Sequence, residues 1–184
     1  MRYVPTRTAV AIVYWNFVAA AILVGAGVAI RVSQRHTLDE MIVQYSRVHG
    51  LDPRFVACVA WRESRFKPDA VSKAGAIGIM QITRDVGIDW ARANKITGHK
   101  KQDLFNAEIN IRVGTWNLAR LKKRWSHKKD PLPYMLTSYV AGPGHADRWD
   151  KIAGGSEKKF MKAITFPVAR EYTQDILKRY RGRA

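Results

Sequence analysis

Glu63 is the residue of this chain best placed for acid chemistry. It sits in Trp61-Arg62-Glu63-Ser64-Arg65-Phe66, which closes the apolar run Phe55-Val56-Ala57-Cys58-Val59-Ala60-Trp61. Asp52-Pro53 ahead of the run supplies an N-cap and a first-turn proline, so the run reads as a helix. Lys67-Pro68 marks its expected end. A helix that is apolar on nearly every face is a buried one, which sets Glu63 at the C-terminal mouth of a core helix. The helix dipole is negative there, and burial raises a carboxyl pKa, so both effects disfavour the charged form. A carboxylic acid that keeps its proton near neutral pH is what a general acid must be. The plain alternative is a glutamate that is solvated or paired with Arg62 or Arg65, and this stretch alone does not choose.

The elements that must position Glu63 all read as helices. Thr37-Leu38-Asp39-Glu40 is a capping box, followed by a face of Leu38, Met41, Ile42, Tyr45 and Val48 and a stop at Gly50. After the Glu63 helix comes a loop of small residues, Asp69 to Gly78, with room for no more than a small hairpin. Helices are then expected over 85–94 and over 106–125, the latter with a stripe of Ile109, Val113, Trp116 and Arg120. Asp130-Pro131 opens another that runs to Ala141 and breaks at Gly142-Pro143-Gly144. The segments 156–164 and 167–180 supply the last two. No period-two alternation lasts long enough for a substantial sheet, so the fold class is mainly α. No repeat or second domain boundary follows residue 37.

Composition bounds the partners. The chain has 184 residues, 47% hydrophobic with six tryptophans, enough for one domain and an appendage. Net charge is +17; residues 1–36 hold Arg2, Arg7, Arg31 and Arg35 and no acid, leaving +13 on the remainder. Such a balance suits nucleic acid, anionic lipid or an anionic wall polymer, and charge alone does not separate them. Residues 9–30 carry no charge and would span about 33 Å as a helix, roughly a bilayer core. They read either as a retained signal anchor or as a signal peptide cleaved near Val24-Gly25-Ala26; the length favours the anchor. The expected layout is therefore an anchor and short linker over 1–36 and a folded domain over 37–184. Cys58 is the sole cysteine and reads as a small core residue. His36, His49, His99, His127 and His145 show no metal-ligand spacing, so neither a metal nor another cofactor is expected. Trp90 and Trp149 read as either core residues or sugar platforms.

Four fragments then carry a resemblance. Glu63-Ser64-Arg65-Phe66, Ser72, Gly75-Ala76-Ile77-Gly78-Ile79-Met80-Gln81 and Ser138-Tyr139-Val140-Ala141-Gly142-Pro143-Gly144 follow the order of the lytic transglycosylase catalytic domain. The chain resembles the soluble-lytic-transglycosylase type, a lysozyme-like all-helical fold related to goose-type lysozyme, over about residues 37–182. Asn110-Ile111 and Gly114 also fit. Each fragment alone is unspecific; four in order at sensible spacing are specific.

The resemblance implies cleavage of the MurNAc–GlcNAc β-1,4 bond of peptidoglycan with closure of a 1,6-anhydro ring, and Glu63 as the single acid and base. It implies substrate-binding roles for Ser72, Met80, Gln81 and Tyr139. Ser72 alternatively only shapes its turn, and Gln81 only satisfies loop backbone. Tyr139 matches a family tyrosine facing the catalytic glutamate. Departures are Val140 where the family has asparagine, Val168 where a glutamate is common, and Thr83-Arg84 where a proline often follows. The implied partners are glycan strands and, through residues 9–30, the cytoplasmic membrane, with the domain on its outer side; no nucleic acid is expected. The other readings are a muramidase in which Asp69, Asp85 or Asp89 positions water, and a basic binding module without turnover. Wall remodelling, assembly of a secretion machine or pilus, and phage lysis all use this domain, and the sequence does not select among them.

Overall fold

The computed structural model describes residues 38–182. The expected anchor over 9–30 and the capping residue Thr37 lie outside the described residues. No helix among the described residues is long and apolar enough to cross a membrane. Residues 38–40 are helical, and the compact unit that follows begins at Met41.

Within that unit the regular elements are helical, as the sequence pattern requires. Helix α1 runs over 41–48 and ends in a left-handed Gly50, where Leu51 N–H reaches Ser46 and Gly50 N–H reaches Arg47. Its inward face holds Ile42 and Ser46. Val48, expected on that face, is 69% exposed, because as a helical residue two positions past Ser46 it points away from the face of Ile42 and Ser46.

Helix α2 (Pro53–Ser64) starts as expected: Asp52 accepts from Arg54 N–H at 2.8 Å, and Pro53 needs no partner for its missing N–H. It buries Phe55, Val56, Cys58, Val59 and Ala60. It ends earlier than Lys67-Pro68, through two left-handed residues, Arg65 (φ 54°) and Phe66 (φ 63°). Helix α3 (Arg84–Ala93) is capped by Thr83, and α4 (Ala107–Arg124) by Asn106. The buried face of α4 is Asn110, Ile111, Val113, Gly114, Thr115, Asn117, Leu118 and Leu121. This corrects the expected stripe, of which only Val113 is buried; Trp116 instead carries Arg120 over its ring.

Helix α5 (Leu132–Ala141) buries Pro133 through Ser138 without a break and packs on α4, α6 and α8. A helix covered all round is the centre of a helical domain. Sequence reasoning missed α6 (Pro143–Ala153). Gly142-Pro143-Gly144 does break α5, but Pro143 also opens the next helix, where its fixed φ is an asset. Helices α7 (Glu157–Ala163) and α8 (Pro167–Arg181) complete the unit. Trp90 and Trp149 are both buried.

The loop after α2 carries two isolated antiparallel bridges, Val71 with Ile77 and Ile77 with Ile82. α8 runs antiparallel to α2. Tyr180 bonds Asp52 at one end (2.8 Å), Arg62 pairs with Asp175 (3.4 Å), and Tyr172 meets Glu63 at the other end.

Candidate active site

Glu63 lies in the last turn of α2, part-buried, and accepts a short hydrogen bond (2.5 Å) from the Tyr172 hydroxyl of α8. Burial is the largest influence on its carboxyl and pushes the pKa up to about 7; the Tyr172 bond and the Arg62 charge pull less strongly the other way. The alternative of an arginine pair is not what the side chains do. Arg62 is engaged with Asp175 and lies over the Tyr172 ring, and Arg65 lies over Trp61. The carboxyl is thus an acid that can hold its proton near neutrality.

Two tyrosines frame it. Tyr172 and Tyr139 are held neutral, chiefly by burial and next by the Glu63 charge, which raise both phenols well above their ordinary value. Tyr139 donates to Met80 O at 2.7 Å. Tyr172 was not picked out as a site residue from the sequence. The available signal was its place on the α8 face shared with buried Ala169, Thr173 and Ile176, since a buried tyrosine must find a hydroxyl partner.

The loop that walls the site is tied down at four points. Ser64 donates to Ile79 O at 2.9 Å, so the end of α2 and the loop are one piece. Asn110 of α4, fully buried, donates to Ile77 O and Leu104 O and accepts from Met80 N–H, all at 2.8 Å. Tyr139 supplies the third tie through Met80 O. The fourth is packing: a Cβ on Gly114 would come within 2.2 Å of Met80 Sδ, so only glycine lets α4 approach this closely. Gly78 (φ 78°) is likewise required, as a Cβ there would strike the Asn110 amide at 2.4 Å.

The other residues singled out from the sequence fall within this wall. The Met80 side chain is buried in the core, and its backbone faces Tyr139 and Asn110. Gln81 (φ 48°) turns its amide back on Ala70 O (3.2 Å) and Gly78 O (2.9 Å). Ser72 Oγ accepts from Ala76 N–H at 3.0 Å, closing the turn. Asp69 and Asp85 are exposed, and Asp89 is engaged by Arg92 and Arg120.

Replacing Tyr172 by Phe removes a bond that favours the ionised carboxylate. The Glu63 pKa is then expected to rise further, moving the alkaline limb of the pH–rate profile to higher pH. A profile that stays put, or moves to lower pH, would show that the hydroxyl does not act on Glu63.

A helical domain that closes a glycine-rich loop over one proton-holding glutamate has the fold of lytic transglycosylase catalytic domains. The soluble lytic transglycosylase SLT70 from Escherichia coli superposes with a TM-score of 0.69 at 23% identity, covering 78% of this chain and 24% of that one. An inactive mutant of lytic transglycosylase Slt from Pseudomonas aeruginosa gives 0.67 at 23%, over 77% and 23%. The Transglycosylase SLT domain model matches residues 40–162, and the chain belongs to that family. Among curated relatives, membrane-bound lytic murein transglycosylase F of Desulfosudis oleivorans is 37% identical over 108 residues, covering 57% of this chain and 22% of its own length. Membrane-bound lytic murein transglycosylase C of Salmonella paratyphi B is 33% identical over 115 residues, covering 59% and 32%. The chain thus spans between about a fifth and a third of the length of these relatives.

Proposed function

We propose that the chain is a peptidoglycan lytic transglycosylase in which Glu63 serves as both acid and base. The observation that carries this reading is a part-buried carboxyl with a pKa of about 7, held by Tyr172 at the end of a core helix. Such a group gives up its proton and regains it at the same pH. Glycosidases that use water need a second carboxylate as base or nucleophile, whereas the groups that act on the Glu63 carboxyl here are Tyr172 and Arg62. The substrate can supply what is missing. Glu63 protonates the bridging oxygen as the C1–O bond breaks, while the 2-acetamido group shields the cationic centre. The Glu63 carboxylate then takes the proton from the C6 hydroxyl of the same sugar as its oxygen bonds to C1. The net change is one C–O bond broken, one formed and a proton moved between two sugar oxygens, with no water consumed. Ring closure within one sugar has the high effective molarity of an intramolecular step, provided the site holds the ring and excludes water.

In this reading Ser72, Met80 and Gln81 serve by building the wall against which the sugar lies, and Tyr139 by fixing that wall beside the acid. Residues 9–30 anchor the chain in the cytoplasmic membrane with the domain on its outer side, in keeping with the membrane-bound lytic transglycosylases among its relatives. The basic surface meets the carboxylates and phosphates of the wall. Mass spectrometry of digested sacculi is the test: 1,6-anhydro-muropeptides are expected. Reducing-end products would favour the muramidase, and no product would leave only a binding module.

A further inference from the structure

Phe166 stands at the N-cap of α8, makes no capping hydrogen bond and is 43% exposed. Ser, Thr, Asp or Asn at that position would satisfy an orphan amide of the first turn; a phenyl ring does not, and it also keeps apolar surface in water. α5 and α6 also begin without a side-chain cap, so what sets this position apart is the exposed ring. The ring is nonetheless held firmly. It stands edge-on to buried Trp149 (5.1 Å, 88°) and against His145 (4.7 Å). Trp149 is in turn fixed by a bond from its indole N–H to Thr165 Oγ1 at 3.2 Å.

Its place relative to Glu63 follows from the helix pairing. α2 stops at Ser64, opposite Tyr172, so the part of α8 that precedes Tyr172 extends past the end of α2. Phe166 is six residues before Tyr172, about 9 Å along the axis. Val168, 68% exposed, is one turn before Tyr172 and on the same side of the helix. Val168 and Phe166 point to different sides of α8, and the half-exposed Phe166 ring, held with His145 and Trp149, puts aromatic surface on the part of α8 beyond the carboxyl. Sugars offer flat C–H faces edged with hydroxyls, the shape that an exposed, pre-oriented ring complements.

We propose that Phe166 is a saccharide-stacking platform that holds the glycan strand beyond the bond being cleaved and gives the site a preference for strands over short fragments. The proposal rests on the glycan-cleaving reading above. Sedimentation of the full chain carrying Glu63→Gln with peptide-free glycan strands tests it without turnover. Adding Phe166→Ala or Phe166→Leu is expected to weaken binding about five- to tenfold, whereas Phe166→Tyr holds it within about twofold. In the active chain the same Ala and Leu variants raise KM on strands, preserve kcat, and leave cleavage of the shortest cleavable oligosaccharide within about twofold of the parent. Binding by the Phe166→Leu chain equal to the parent's would overturn the platform alone, since the ring would then be only packing. Equal losses on strands and short oligosaccharides would do the same. Failure of the Glu63→Gln parent to hold any glycan would overturn the glycan reading along with it.

Discussion

Glu63→Gln is expected to stop release of soluble wall fragments, by about a thousandfold or more, and at the same time to make the protein more stable at pH 8. The first effect follows, on the proposed mechanism, from removing the group that passes a proton to the leaving oxygen; general acid catalysis of this kind contributes about 10²–10⁴. The second follows from the raised pKa. Folded Glu63 holds its proton to about pH 7, whereas its ordinary value is 4.5. Between those values the native state binds more protons than the unfolded chain, so native stability falls as pH rises through that window. Above it the buried charge costs about 2–3 kcal/mol, which the isosteric amide does not incur. A gain of roughly 5 °C in Tm at pH 8 is therefore expected, vanishing near pH 4 where both side chains are neutral. Binding of sacculi should survive, because the amide preserves shape. A Gln variant that still releases product would end the mechanism, and one less stable than the parent at pH 8 would deny the raised pKa.

Glu63 was legible in the sequence, while the tyrosine that meets it was not. The local pattern, an apolar helix with a capped start, puts Glu63 at a buried mouth but leaves a solvated or arginine-paired glutamate open; the ordered fragments downstream, Ser72, Gly75 to Gln81 and Ser138 to Gly144, are what single it out. Helix starts were legible to within a residue where Asp52, Thr83, Asn106 and Ser156 each cap with their own side chains, whereas the end of α2 was not. Tyr172 is 109 residues away from Glu63, and only the antiparallel run of α8 along α2 brings it there. Helix α6 was missed because one tripeptide, Gly142-Pro143-Gly144, ends one helix and opens another. The α4 stripe was misread because the face that packs inward carries Asn110, Gly114 and Thr115, which look like surface residues. Asn110 and Gly114 are inside because the loop over 69–82 packs on them, Asn110 through its hydrogen bonds and Gly114 through its lack of a side chain, while Thr115 turns its hydroxyl back on Ile111 O of its own helix.

Asn110→Ala is accordingly expected to be the most damaging change away from the acid itself. The amide occupies both ends of its polarity at once, giving two protons to Ile77 O and Leu104 O and taking one from Met80 N–H. Truncation leaves Leu104 O and Met80 N–H without this partner in a site that water reaches poorly, at about 1–3 kcal/mol for each that stays unsatisfied, while Ile77 O keeps its bond from Ile82 N–H at 2.9 Å. A total loss of about 3–5 kcal/mol is expected, a large share of the ~5–15 kcal/mol that holds a domain of this size. Asn110→Asp should fare no better, since a carboxylate cannot donate to either carbonyl and would bury a charge. Activity should fall further than the folded fraction does, because the released Met80 peptide no longer presents its carbonyl to Tyr139, and the wall beside Glu63 loosens. Ser72→Ala is the contrasting variant: it breaks a single bond within a half-exposed turn and should cost about 1 kcal/mol. Urea denaturation of the two variants, with activity corrected for the fraction folded, separates these expectations. Equal stability losses for Asn110→Ala and Ser72→Ala would mean that the loop is held by its own turn and not by α4.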